Sequence, residues 1–387
     1  MSNTTILDKF PEIDEFYKTY WGKKPFIVRG AIDLNIIEEL IDGNSLAGLS
    51  LDENIKSRLV ITEPENNKWI CHHGPFEEDI FSTLGEENWS LLVQNVDQYH
   101  PNTAQLLKSF NFSPRWLMDD IMVSYSAIGG SVGPHRDSYH VFLVQGIGKR
   151  KWKLSNAPIE GDQEYFESDD LLVLKDGFEG TETEVSTGDV IYIPPLFGHQ
   201  GVTTQESMTF SVGFLGPKLS EIFAEYSHYL EQNSDLNKRY TGQGLDANSS
   251  AFSIAPSAIN ITQDYIIEAV KNDKFSNWIA EYFSISTHDE FQNADAEDDY
   301  ISSEDLLKSL ETGATLHRPE HINLVATKSA NGSINLASYG DVIKIPAKYE
   351  KLIDWLNQNH EISINDLHDK ELTTLITHLY NKNILQF

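Results

Sequence analysis

Cysteine is almost absent from this chain: Cys71 is the only one. A single thiol excludes an intramolecular disulfide framework and fits a reducing compartment. Basic residues are also scarce, with 29 Lys+Arg against 59 Asp+Glu and a formal net charge of −30. A surface this acidic repels nucleic-acid phosphates, so no direct DNA binding is expected, whereas a basic protein partner would be drawn in. The alternative is that the acidity serves solubility alone. No apolar run reaches the roughly 18–20 residues that span a bilayer, so no membrane segment is expected. Met1 to Asp8 has neither a basic stretch nor a long apolar one, so no signal peptide is expected and the cytoplasm is the expected location. A P-loop and an H-E-x-x-H helix are both missing, which removes the nucleotide-cradle and zincin readings.

What is present is a globular composition, 40% hydrophobic and 23% charged over 387 residues, long enough for two or three domains. From Asp120 onward, short β-rich runs separated by glycine turns predict a barrel or sandwich: Ile121–Ser126, Tyr139–Gln145, Lys149–Leu154, Leu171–Leu174, Val190–Ile193 and Met208–Phe214. Trp89–Val96 reads as a further strand. After Gly216-Pro217 the texture turns helical, with helices expected at Lys218–Gln232 and Tyr265–Phe283 around a Thr241–Ser257 loop. Asp289–Asp299 reads as an exposed acidic linker. The last segment combines a helix at Ser303–Thr312, a hairpin turning at Asn331-Gly332, and helices at Tyr349–Asn357 and Leu372–Tyr380, a winged-helix-like set.

The chemistry concentrates at His135-Arg136-Asp137 and His199. Two imidazoles and one carboxylate can grip one face of Fe(II) and leave the other face open, the 2-His-1-carboxylate triad of non-haem iron oxygenases. His135 and Asp137 lie two apart, so an extended segment points both to one side. His199 follows Pro194-Pro195-Leu196-Phe197-Gly198, a turn leading into a new strand that a closed barrel would bring to the same ion. Read singly, His135 is as well explained as a hydrogen-bonded loop histidine, and Zn or Mn would suit the same donors.

Three free coordination positions match a bidentate co-substrate plus O2, and 2-oxoglutarate is the usual one. Its far carboxylate needs a cation. By strand alternation Arg150 shares the inward face with Trp152 and Leu154, while Lys149, Lys151 and Lys153 face water. A buried arginine matches a carboxylate bidentately, though an internal Asp or Glu would satisfy it equally. On Asp120–Ser126, residues Asp120, Met122, Ser124 and Ser126 share a face. If that face lines the cavity, Ser126 can donate to the co-substrate and Asp120 would favour a cationic side chain. Asp120 reads otherwise as a solvated strand end, and Tyr139 as a core residue or a pocket wall. His140 and the His72-His73 pair read as structural.

Gly133-Pro134-His135-Arg136-Asp137-Ser138-Tyr139, Val141–Trp152, Asp189–His199, Ser211-Val212-Gly213-Phe214, His73-Gly74-Pro75-Phe76 and Asn88–Gln94 together resemble the JmjC-type ribosomal oxygenases, within them the bacterial ribosomal-protein arginine hydroxylases. The likeness is dense over residues 10–216 and looser beyond. It implies an α+β chain in three parts: a double-stranded β-helix (cupin-like JmjC) oxygenase domain over 1–216, a helical dimerisation segment with the acidic linker over 217–300, and a winged-helix domain over 301–387. It implies a homodimer, His135, Asp137 and His199 on Fe(II), and Arg150 with Ser126 on 2-oxoglutarate. It further implies an arginine pocket lined by Asp120, Met122, Tyr139, Ser211 and Phe214. The implied reaction is O2-dependent 3-hydroxylation (at the β-carbon) of an arginine in large-subunit ribosomal protein sixteen. Arg136 and Ser138 beside the carboxylate, and the long acidic linker, depart from the family pattern without changing a ligand type. A JmjC histidyl hydroxylase or lysine demethylase, a Zn or Mn cupin isomerase, and a non-catalytic cupin-like adaptor are the competing readings.

Overall fold

The computed structural model describes residues 4–166, 171–233, 235–246, 251–285, 300–329 and 332–387, so the expected acidic linker and Asn331 lie outside the described residues. Two compact units emerge, Met1–Gly216 and Pro217–Phe387.

The first unit carries one sheet of eleven strands: β1 Thr5–Leu7, β2 Phe26–Val28, β3 Ser57–Glu63, β4 Lys68–His73, β5 Trp89–Val93, β6 Met118–Ser126, β7 His135–Arg136, β8 His140–Pro158, β9 Gly180–Ser186, β10 Val190–Ile193 and β11 Phe197–Phe214. Their hydrogen-bonded order is β1-β2-β10-β8-β11-β6-β5-β3-β4, with β7 on β11 and β9 on β8. The backbone of the unit is the antiparallel pair β8 and β11, 19 and 18 residues long, which pairs from Phe197↔Pro158 to Phe214↔His140 with register shifts along the way. Two runs expected as separate strands, Tyr139–Gln145 and Lys149–Leu154, are therefore halves of β8. Leu171–Leu174, expected as a strand, makes only an isolated bridge from Leu174 to Tyr165; its apolar Leu171 and Val173 are used instead to pack on Val60 and Leu92.

Glycine makes the long pair possible. Val141 and Leu143 face the central cavity in the first half of β8, Arg150 and Trp152 in the second, so the inward parity changes from odd to even. The change occurs across Gly146-Ile147-Gly148, where β11 shifts register between Thr203 and Thr209. Gly148 has φ +67° and approaches the Glu206 carbonyl so closely that no side chain fits, as a bulge with a left-handed residue requires. Opposite the cavity lies an aromatic core in which Phe16, Phe26, Phe110, Phe142, Tyr192, Phe210 and Phe214 are each at most 2% exposed. Their edge-to-face and tilted pairs, such as Phe110–Phe142 at 4.8 Å, add about 0.5–1.5 kcal/mol each to the burial of the rings.

The second unit holds helices Leu219–Gln232, Pro256–Val270, Asp273–Ser284, Ser303–Glu311, Lys351–Gln358 and Lys370–Asn381. With them is an antiparallel sheet of β12 Val325–Lys328, β13 Ile334–Ser338 and β14 Asp341–Ile345. One helix was expected over Tyr265–Phe283. The chain breaks at Lys271-Asn272, because the Asn272 side chain accepts the Phe275 N–H at 3.1 Å and starts a new helix. That new helix lies on the sheet, with Ala280 against Val325 and Ala337. No helix among the described residues is long and apolar enough to cross a membrane.

Candidate active site

Strands β3, β5, β6, β7, β8 and β11 enclose a cavity of about 370 Å³ in the first unit. Gly133 (φ +82°) turns the chain into β7, which pairs with β11 so that His135 stands directly opposite His199. Their rings are 4.1 Å apart, and Asp137 Oδ2 lies 3.3 Å from His199 Nε2. The ligand atoms of His135, Asp137 and His199 all fall within 4.8 Å of one another, the only such cluster of metal-binding side chains among the described residues. Leu196, at φ +67°, donates its N–H to the Asp137 carbonyl at 2.7 Å and ties the two ligand-bearing segments together.

Each imidazole is oriented by its own strand. Nδ1–H of His135 donates to the Gly133 carbonyl at 3.0 Å, and Nδ1–H of His199 donates to the Phe197 carbonyl at 3.1 Å. Both rings therefore turn an Nε2 lone pair inward, as a metal ligand needs. Burial, then the adjacent His199, pushes His135 down to about 4, so it is unprotonated at neutral pH. Burial opposes ionisation of Asp137, but the two imidazoles beside it outweigh burial and hold its carboxyl below the ordinary range. The set is ready-made for a divalent cation.

At the inner end lies Arg150, 4% exposed. Its guanidinium reaches Thr209 Oγ1 at 3.4 Å and Ser124 Oγ and the Gly201 carbonyl at 3.5 Å, all long contacts. Its Nε, like the indole N–H of Trp152 beside it, has no hydrogen-bond partner, and among the described residues no carboxylate pairs with it. The internal Asp or Glu weighed from sequence is thus not there. Burial lowers its pKa to about 10, which leaves it charged at pH 7. A buried unpaired cation is costly unless an anion joins it, and the space before it fits a carboxylate. Gly201 makes that space: a Cβ there would stand 2.6 Å from Arg150 Nε and 2.9 Å from the Trp152 ring.

Toward the mouth stand Asp119, Asp120, Met122, Tyr139, Ser211 and Arg58. Asp120 is 8% exposed, which disposes of the solvated strand-end reading. Its Oδ2 accepts the Asn95 N–H at 3.0 Å. Burial, then the neighbouring Asp97, pushes it up to about 8. Burial and the charges of Asp137 and Asp120 raise the Tyr139 phenol.

Two expected residues are not brought to the cavity. Ser126 is fully buried behind Ser90, to which it donates at 2.8 Å; Ser90, Ser124 and Thr209 present the hydroxyls instead. Phe214 is a core residue, edge-on to Phe142 and Trp21, because Thr209, Ser211 and Gly213 take the inward positions of β11 and alternation turns Phe214 away. Sequence reasoning passed over Thr209, which the same alternation from Ser211 would have found. It also passed over Arg58, which only the β3–β5–β6 pairing carries to the cavity and no local pattern announces. His140 stacks on Trp21 at 3.6 Å and bonds the Tyr192 hydroxyl at 2.8 Å, a structural role as expected.

Residues 105–222 match the JmjC domain family. The chain is 34% identical to the ribosomal protein uL16 3-hydroxylase of Escherichia coli over 277 residues, 71% of this chain and 72% of that protein. The chain belongs to the JmjC-type bacterial ribosomal oxygenases. The solved structure of E. coli YcfD agrees along the whole JmjC oxygenase chain, with a TM-score of 0.82 at 30% identity over 97% of this chain and 98% of that one. The YcfD structure in complex with cobalt and 2-oxoglutarate superposes with a TM-score of 0.78 at 29% identity, covering 97% and 98%. The cupin-like JmjC fold and Fe(II)- and 2-oxoglutarate-dependent oxygenase chemistry follow for this ribosomal oxygenase.

Proposed function

We propose that this oxygenase 3-hydroxylates an arginine of ribosomal protein uL16. One observation carries the reading: a three-ligand metal cluster lies in one cavity between a buried, unpaired guanidinium (Arg150) and a buried carboxylate (Asp120). The first suits the distal carboxylate of 2-oxoglutarate, the second a substrate guanidinium. A neutral imidazole would gain little from Asp120, which favours arginine over histidine as target.

Nε2 of His135 and His199 and the Asp137 carboxylate would hold Fe(II). Arg150, with the Thr209 and Ser124 hydroxyls, fixes the distal carboxylate of 2-oxoglutarate. Bound Fe(II) supplies the oxidising chemistry, by which O2 and 2-oxoglutarate become succinate, CO2 and one hydroxyl on the substrate. Asp120, Met122, Tyr139 and Ser211 line the same cavity as the triad and would hold the arginine there. Asp120 accepts from the guanidinium and Met122 packs on its stem.

Outside the oxygenase domain, we infer a cytoplasmic homodimer formed through helices Leu219–Gln232 and Pro256–Val270, whose Leu219, Phe223, Ile259, Ile266 and Ile267 are 45–67% exposed. The helix Ser303–Glu311, the β12–β14 sheet and the last two helices make the winged-helix-like module.

Incubation with uL16 peptides, Fe(II) and 2-oxoglutarate is expected to add 16 Da to one arginine, mapped by fragmentation; the addition on histidine would overturn the arginine assignment. Asp137→Ala is expected to cut succinate formation by ~100-fold or more, since even an outer partner of a metal ligand is worth about 10–100-fold.

A further inference from the structure

Asp97 touches neither the metal cluster nor the cavity, yet it is 1% exposed and stands beside the residue that meets the substrate. It sits in the short helix Val96–Tyr99, just after Asn95, whose φ of +56° turns the chain inward. Asp97 Oδ1 accepts the Ile121 N–H at 2.9 Å, and its Oδ2 accepts from the Gln98 side chain at 3.2 Å. In return Asp120 Oδ2 accepts the Asn95 N–H at 3.0 Å. Each carboxylate thus grips the backbone beside the other. The clasp engages Oδ2 of Asp120 and leaves Oδ1 near Gly213, where a Cβ would lie 3.6 Å from that oxygen and 3.9 Å from the Tyr139 ring. Gly213 and Tyr139 both line the cavity. An asparagine would accept the same Ile121 bond. The clasp therefore does not require the charge of Asp97, and a second buried acid opposes ionisation of the first.

We propose that Asp97 is a positioning residue for the arginine site: it aims Asp120 through the reciprocal clasp and, by its like charge, keeps Asp120 protonated until a guanidinium arrives, so that substrate binds with release of a proton. This rests on the reading of Asp120 as the arginine's partner. The proton balance is simple: the Asp120 carboxylic acid gives its proton to water and the resulting carboxylate pairs with the guanidinium. Burial and then Asp97 push Asp120 up to about 8, and burial pushes Asp97 up to about 6. The other groups facing the pair are Asp119, which raises Asp120, Arg58 from β3, which lowers it, and Arg115, which lowers Asp97. Tyr139 faces Asp120 from the start of β8 and stays neutral.

The test uses the full chain loaded with metal and 2-oxoglutarate, and an arginine-containing uL16 peptide. Calorimetry at pH 7 in two buffers of different ionisation enthalpy is expected to show proton release approaching one per peptide. Asp97→Asn keeps the acceptor but removes the charge. It is expected to reduce that release and to shift the acid limb of the peptide 1/KM profile down by about one pH unit, with kcat within about twofold of wild type. Asp97→Ala removes the acceptor and is expected to raise peptide KM by ~10-fold while the KM for 2-oxoglutarate stays unchanged. Should the alanine variant fail to fold, the asparagine variant decides alone: proton release and profile identical to wild type would overturn the proposal. Asp120→Asn separates the two levels. An unchanged peptide KM there overturns the arginine reading itself. A large rise there beside a silent Asp97→Asn overturns only the role of Asp97.

Discussion

At the residue scale the site is a set of buried groups suited to partners of opposite character: Arg150 to an anion, Asp120 to a cation, and the Nε2 atoms of His135 and His199 to a divalent metal. Gly201 shows how tightly the first of these is built, since any side chain there meets Arg150 and Trp152. Gly201→Ala is expected to displace the guanidinium and weaken 2-oxoglutarate binding by ~10-fold, with overpacking costing about 1–3 kcal/mol of stability. Calorimetric titration with 2-oxoglutarate and a thermal melt would check both. His140 offers a pH readout away from the metal. Burial depresses it to about 4, whereas the unfolded chain takes up that proton near its ordinary value of 6.5. The stability it contributes is complete above pH 6.5 and is lost as pH falls toward 4. Discounted for its partial exposure, the contribution is on the order of 1 kcal/mol. His140→Gln is expected to flatten the acid limb of Tm against pH. Part of this was legible from spacing alone: the shared face of His135 and Asp137 and the inward Arg150 follow from period-2 alternation. Arg58 and Asp97 were not, because nothing local distinguishes an Arg or Asp that tertiary pairing delivers to a cavity.

At the scale of elements, the pair β8 and β11 decides where every catalytic group stands. Its inward parity must reverse once, and Gly146 to Gly148 is where it does. Gly148→Ala is expected to destabilise the protein by about 1–3 kcal/mol, the usual range for forcing a side chain onto a left-handed residue. It should also lower 2-oxoglutarate affinity, because Arg150 lies two residues on. Urea unfolding beside 2-oxoglutarate titration checks this, and a native melt with native affinity would refute it. Two residues that the cavity does not take have causes of their own. Ser126 and Phe214 each lie on a strand whose neighbours face the cavity. Ser126 falls at the closed end, where Ser90 covers it, and Phe214 has the wrong parity. Sequence shows alternation within a strand, but which turn of it meets a cavity depends on register with partners far along the chain. The helix break at Asn272 was legible in principle, since Asn is a strong N-cap, but the continuous apolar spacing concealed it.

At the scale of the whole molecule, a net charge of −30 would attract a basic substrate protein at long range, an attraction that salt screens within about 8–10 Å at 0.1–0.15 M. Raising NaCl from 50 to 500 mM is expected to lower kcat/KM for intact uL16 by ~10-fold or more, while kcat at saturation holds, since steering acts on encounter rather than chemistry. Equal salt sensitivity with a short neutral-flanked peptide would show that the charge of the molecule as a whole is not responsible. The sequence by itself determined the donor types, the face on which His135, Asp137 and Arg150 lie, and the acidic surface, because these depend on residue identity and on the two-residue period of a strand. Only the tertiary structure decided that the triad converges, that Arg150 has no carboxylate partner among the described residues, and that Asp97 clasps Asp120. The first two depend on register between strands more than sixty residues apart, as β7 is from its partner β11, and the clasp on bonds 24 and 25 residues apart along the chain, so no local interaction encodes them.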